Sequence, residues 1–256
     1  MRAIPPQTDL RYLPASLGEV INFILGWFHS TAEDMPHTIL LAGHPDTGKS
    51  SIARSIAHFA KDMSRLGAFV FIDRDSPDNS DIRWLIPAIA SGLADSFPSF
   101  RHALAKSLNG ISHVSALALK DQFRILIHTP LAGMGSIGPL AIVIDALDGY
   151  VASADRLELF QVLSEGLPML PENFRVILTS RPDDDVRELF SPSRHVLRLS
   201  LEASDGKIVP DLIAFISDQL DRVNGGDMVL FDDKHYQALA ARAARAAEED
   251  TFRCWT

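Results

Sequence analysis

Residues 43–50 read Gly43-His44-Pro45-Asp46-Thr47-Gly48-Lys49-Ser50, the spacing G-x-x-x-x-G-K-[ST]. Glycine lets a backbone curl tightly, so that successive N–H groups, here from about Asp46 to Ser50, converge on one anion. The chemistry of such a loop is the holding of a phosphate chain. Lys49 would reach the β- and γ-phosphates and the Ser50 hydroxyl would bind Mg2+, while the start of the following helix adds partial positive charge. A second element is Ile142-Val143-Ile144-Asp145-Ala146-Leu147-Asp148. An aspartate leaving the C-terminal end of an apolar strand is placed to hold a metal and its water shell, which makes Asp145 the metal candidate. Asp148, three residues on, would orient or deprotonate an attacking water. Thr179-Ser180-Arg181-Pro182 ends another apolar run, where the Arg181 guanidinium could fork onto γ-phosphate oxygens and report their presence. Taken singly, these two elements have plain alternatives, a capping aspartate and a surface arginine ahead of a proline-started helix.

Other chemistries find less support. The nine histidines never fall at i, i+3 or i, i+4, so a zinc site is not expected. No G-x-S-x-G elbow starts a Ser-His-Asp arrangement. Ser51 is either an α-phosphate contact or an ordinary helix N-terminal serine. Trp84, Phe69 and Phe71 are expected in the core.

Strands and helices must bring these residues together. Thr38-Ile39-Leu40-Leu41-Ala42 is a short apolar run closed by the glycine loop, as a strand buried on both faces reads. Runs at 67–72, 141–144, 175–179 and 195–199 complete five strands. Helical spacing is seen at 17–28 behind a Ser16/Glu19 capping box, and from Ser50 onward with Ile52, Ile56, Phe59 and Met63 aligned. Further helices are expected at 81–95, bent at Pro87, and at 100–108, 117–128 and 154–165, the last behind an N-cap at Ser153. Two more follow at 209–223 and 232–249. Alternating strands and helices imply an α/β fold, a parallel sheet covered on both faces. The expected division is a lead-in helix over 1–36, a core over 37–203 and a helical C-terminal extension over 204–256.

Composition narrows the classes further. With 256 residues, 46% hydrophobic and 22% charged, the chain can bury a substantial core and is not a disordered polymer. Its 24 basic against 33 acidic residues give a net charge of −9, which argues against nucleic acid or an acidic membrane as partner. The single cysteine, Cys254, can form no internal disulfide, and residues 1–13 lack a secretory apolar stretch, so a reducing cytoplasmic setting is expected. Residues 125–144 carry no formal charge over about a membrane's thickness. They are interrupted by Pro130, Gly133, Gly135, Gly138 and Pro139 and read as helix end, loop and strand.

On these phrases, together with Gly67-Ala68-Phe69-Val70-Phe71-Ile72-Asp73-Arg74-Asp75, Ile86-Pro87-Ala88-Ile89-Ala90 and Gln122-Phe123 to Pro130-Leu131, the chain resembles a NACHT domain of the STAND class of P-loop NTPases. The likeness is to the nephrocystin-like NACHT proteins abundant in mushroom-forming fungi, and it covers roughly residues 17–239. It implies a P-loop NTPase three-layer α/β/α sandwich with a mainly parallel five-stranded sheet. It also implies Lys49 and Ser50 on phosphate and Mg2+, Asp145 as the Walker B aspartate, Asp148 in an extended acidic pair, and Arg181 as sensor arginine. Three departures stand out. Asp46 replaces a small residue, which would weaken nucleotide binding unless its carboxylate turns outward. Gly149 replaces half of the acidic pair, which would slow hydrolysis. The chain ends where relatives continue into a winged-helix or helical arm and repeats, as a minimal module or a truncated gene product would.

The resemblance and the residues together imply an ATP- or GTP-binding signalling switch with slow Mg2+-dependent hydrolysis, self-associating or assembling with other NACHT proteins. A non-catalytic, nucleotide-holding scaffold that assembles with larger homologues is the alternative. A small-molecule kinase would need an acceptor pocket and a basic lid, and no arginine-rich lid is present.

Overall fold

The computed structural model describes residues 11–12, 17–30, 35–45, 47–73, 81–111, 113–132, 134, 138–150, 154–190 and 195–201. The strands are β1 (Arg11–Tyr12), β2 (Thr38–Gly43), β3 (Leu66–Phe71), β4 (Leu140–Asp145), β5 (Phe174–Ser180) and β6 (Val196–Leu201). All pair in parallel, in the order β1-β6-β2-β5-β4-β3. The five long strands are those expected. The two-residue β1, added beside β6, is too short to carry a periodic signal.

The two faces of the sheet follow the period of two along each strand. Ile39, Leu41, Ala141, Val143 and Ile177 face α1 (Leu17–Phe28) and α2 (Lys49–Asp62). Leu40, Ile142, Ile144, Val176 and Leu178 face the other layer. That layer comprises α3 (Leu85–Ser96), α4 (Pro98–Ser107), α5 (Leu119–Phe123), α6 (Thr129–Ala132), α7 (Ala154–Gly166) and α8 (Asp184–Phe190). The result is a three-layer α/β/α sandwich. No helix among the described residues is long and apolar enough to cross a membrane.

Several local expectations change. The 81–95 segment is a 3-10 turn at Ile82–Trp84 followed by α3. Pro87 sits in the first turn of α3, where a missing N–H breaks no helical bond, so it begins the helix instead of bending it. Between α5 and α6 runs a π-helical stretch, Arg124–His128, carrying the helix four residues beyond its expected end. The buried stripe of α2 is Ile52, Ala53, Ile56, Ala57 and Ala60, whereas Met63 is exposed. Phe69 and Phe71, expected in the core, are 37% and 38% exposed, because β3 is the edge strand of the sheet among the described residues. Ser16, Ser153, Cys254 and the helices expected at 209–223 and 232–249 lie outside the described residues, as does the proposed extension.

The layer of α1 is fixed by one buried cation. Arg175, 5% exposed on β5, donates to the carbonyls of Ser30 at 2.6 Å and Trp27 at 3.4 Å. It also reaches the Glu172 carbonyl at 2.7 Å and lies 5.7 Å from the Trp27 ring centre. Carbonyls at a helix C-terminus lack intrahelical partners and carry partial negative charge, so a guanidinium there is favoured twice over. Arg175→Met is expected to cost about 2–4 kcal/mol of stability by stranding these acceptors. Chemical denaturation that finds the variant within about 0.5 kcal/mol of wild type, the range of an unimportant surface change, would count against this role.

Candidate functional site

Two strand ends and a helix start meet at one carboxylate. Asp145 closes β4 on the α1/α2 side and is fully buried. Its Oδ1 accepts a hydrogen bond from Ser50 Oγ of α2 at 3.0 Å and another, very short, from Thr179 Oγ1 of β5. Thr179 Oγ1 in turn accepts the Ala146 N–H at 2.8 Å. Ala146 has φ 63°, a left-handed kink that turns the chain sharply out of the strand. Asp145 Oδ2 has no hydrogen-bond partner among the described residues. Burial pushes the carboxyl above its usual range, against the opposing pull of the two hydroxyls and of the Arg54 and Lys49 charges.

The loop that approaches this carboxylate is held in a tight curl. Gly43 ends β2 where a Cβ would meet Thr47 Oγ1 at 2.6 Å and the Leu201 carbonyl at 2.9 Å, so no side chain fits there. Gly48 has φ 81° and leads into α2, a conformation that L-residues with a Cβ rarely take. Thr47 is buried and its hydroxyl donates to the His44 carbonyl at 2.9 Å. Lys49 Nζ donates to that carbonyl at 2.6 Å and to Thr47 Oγ1 at 3.2 Å, so the ammonium lies over the loop. His44 is otherwise exposed, Ser51 is half-buried on α2, and Asp46 lies outside the described residues.

Asp148 and Arg181 pair with one another. Asp148 sits in the 3-10 turn Leu147–Gly149. Its Oδ1 accepts the Arg181 N–H at 3.1 Å and its Oδ2 lies 2.9 Å from Arg181 Nε. Neighbouring Gly149 packs on the end of the β3 strand, where a Cβ would come within 2.7 Å of the Ile72 carbonyl oxygen. The position therefore has no room for a second carboxylate side chain without a backbone shift.

Ser50 and Asp145 are thus in contact, Lys49 stands on the same helix start, and Asp148 and Arg181 form a separate couple at the adjoining strand ends. Thr179 is the member that sequence reading passed over. It stands in the Thr179-Ser180-Arg181-Pro182 phrase, where only the arginine suggested a role, and its one signal is a hydroxyl at a strand end. A hydroxyl and a carboxylate with an unmet oxygen are oxygen donors suited to Mg2+, which takes one or two carboxylates and completes its shell with water and phosphate. Among the described residues no group of three or more His, Cys, Asp or Glu gathers as a self-sufficient metal cage.

A family profile described as nephrocystin 3, N-terminal, matches residues 24–181, more than half of the chain and the whole stretch from the glycine loop to Arg181. Among curated proteins, none matches the chain.

A carboxyl raised on folding binds its proton more readily in the folded than in the unfolded chain. Stability therefore falls as pH rises from the ordinary carboxylate range through the raised value, above which the cost is complete. Asp145→Asn, in chelator, is expected to melt at a higher temperature than wild type at pH 7, with the gain shrinking as pH approaches about 4. A variant that melts lower at pH 7, or a gain that is independent of pH, would contradict the burial account.

Proposed function

Since the chain belongs to the nephrocystin 3 N-terminal family, we propose that it is a nucleotide-binding switch of the NACHT/STAND kind. It holds a nucleoside triphosphate, ATP or GTP, with Mg2+, hydrolyses it slowly in the cytoplasm, and signals by assembling with itself or with larger NACHT proteins. The observation that carries this reading is the shared Asp145 oxygen, which joins the hydroxyl next to Lys49 to the neighbouring ends of β4 and β5. The unmet Oδ2 and the tight glycine curl support it.

Each residue has a part in this reading. Backbone N–H groups of the loop and the Lys49 ammonium hold the phosphates. Ser50 and Asp145 hold Mg2+, which when bound neutralises charge on the phosphate oxygens. Arg181 recognises the terminal phosphate, and Asp148 positions water once released from the guanidinium. A second reading has its own support. Asp148 is held by both the backbone and the side chain of Arg181, and Gly149 leaves no room for an acidic partner. Both features favour a scaffold that keeps its nucleotide without turning it over.

Calorimetric titration separates the possibilities. Wild type is expected to bind Mg-ATP or Mg-GTP, and Lys49→Ala to bind about 30-fold more weakly or worse, the loss of a charge-assisted contact. Equally poor binding by both proteins would end the nucleotide reading. Turnover that disappears in Asp145→Asn supports the switch, whereas tight binding without turnover supports the scaffold.

A further inference from the structure

We propose that Arg156 is a positioning residue for the Asp148–Arg181 couple, and through it sets how well the site tells a nucleoside triphosphate from a diphosphate. The inference rests on the nucleotide reading above and adds to it a residue that no motif includes.

Arg156 lies in the first turn of α7 and is 3% exposed. A cation at a helix N-terminus opposes the helix dipole, and burying it is costly, so the position demands compensation. The compensation comes from two other loops. Arg156 pairs with Asp185, Nη2 donating to Oδ1 at 3.0 Å and Nε lying 2.9 Å from Oδ2. Nη2 also donates to Asp183 Oδ2 at 2.8 Å, and Nη1 to the Tyr150 carbonyl at 2.8 Å. The guanidinium carbon stands 5.0 Å from the Phe160 ring centre.

Tyr150 directly follows the turn that carries Asp148, Asp183 lies two residues after Arg181, and Asp185 stands in the first turn of α8. One buried guanidinium therefore ties the segment after Asp148 to the segment after Arg181, which Asp148 and Arg181 also join. The side-chain half of that second tie is the weak part, beside the backbone bond that Arg181 N–H makes to the buried Asp148. The Arg181 side chain is 46% exposed, and an ion pair in that setting is screened and pays side-chain entropy to hold its geometry. The buried tie, with hydrogen bonds to Tyr150, Asp183 and Asp185 and packed on an aromatic ring, holds the two segments at one spacing beyond the strand ends. Loosening it lets the segment that carries Arg181 shift away from the site, while Lys49, Ser50 and Asp145, held by their own contacts, stay where they are. Recognition of the terminal phosphate is then lost selectively.

The test compares Arg156→Met with a triple variant, Arg156→Met/Asp183→Asn/Asp185→Asn, which leaves no unpaired buried charge and so retains the fold where the single change does not. Mg-ATP and Mg-ADP affinities are measured for wild type and variants, alone and combined with Arg181→Ala. The expected result is a fall of about tenfold in the ATP-to-ADP affinity ratio, with ADP affinity within about twofold and no further fall in the Arg181→Ala background. Amide exchange at Arg181, read without nucleotide, is expected to speed up in the folded variants. An unchanged ratio in a folded variant, or losses that multiply with Arg181→Ala, would overturn the role. If wild type binds neither nucleotide, it is the nucleotide reading that fails, and unchanged exchange at Arg181 would separately refute the positioning.

Discussion

A carboxylate buried at the end of a strand, with one oxygen shared by two hydroxyls and the other unmet, is the constraint on which the site depends. Placing Asp145 there costs desolvation that Ser50 and Thr179 only partly offset. The arrangement persists because elements far apart in sequence meet on it. Ser50 lies 95 residues away and Thr179 lies 34 away. Their shared acceptor fixes α2 against β4 and β5 and sets the approach of the glycine loop to the sheet edge. Buried polar groups left incompletely satisfied are characteristic of sites where charge is to be received.

Strand order makes the meeting possible. β5 lies between β2, which feeds the loop, and β4, which ends in Asp145. Thr179 can therefore reach Asp145 from the adjacent strand, and Arg181, two residues on, falls beside Asp148. The parity of the sheet does the rest. Asp145 continues the Ala141/Val143 row and Thr179 the Ile177 row, so both project toward α2. A one-residue slip in either register would turn one of them to the opposite face. The same edge carries the Arg156 tie, so two layers of polar contacts hold these loops, one buried and one at the surface.

The long strands were legible because each is a compact apolar run bounded by turn residues, and the glycine loop because its spacing has few other uses. Asp145 and Ser50 were legible for the same reason, and they do touch. Pairing between side chains was harder to read. Asp148 and Arg181 were assigned separate tasks, and only the folded chain shows that they engage each other. Thr179 and Arg156 were missed because a threonine and an arginine become informative only when burial and partners are known. Phe69 and Phe71 were misjudged because apolar character predicts burial well in central strands but not on an edge, and Pro87 because a proline near a helix start and one within it read alike when the boundary is uncertain. The π-helical run at Arg124–His128 leaves no mark in hydrophobic spacing.

The central claim is that the curl between β2 and α2 grips the phosphates of a nucleotide beside Asp145. Native mass spectrometry of the protein purified in Mg2+ tests it most directly. The account predicts a species heavier than the bare chain by one nucleoside phosphate, present in wild type and lost in Lys49→Ala. Bare chain alone, with none taken up when ATP or GTP is added, would contradict it.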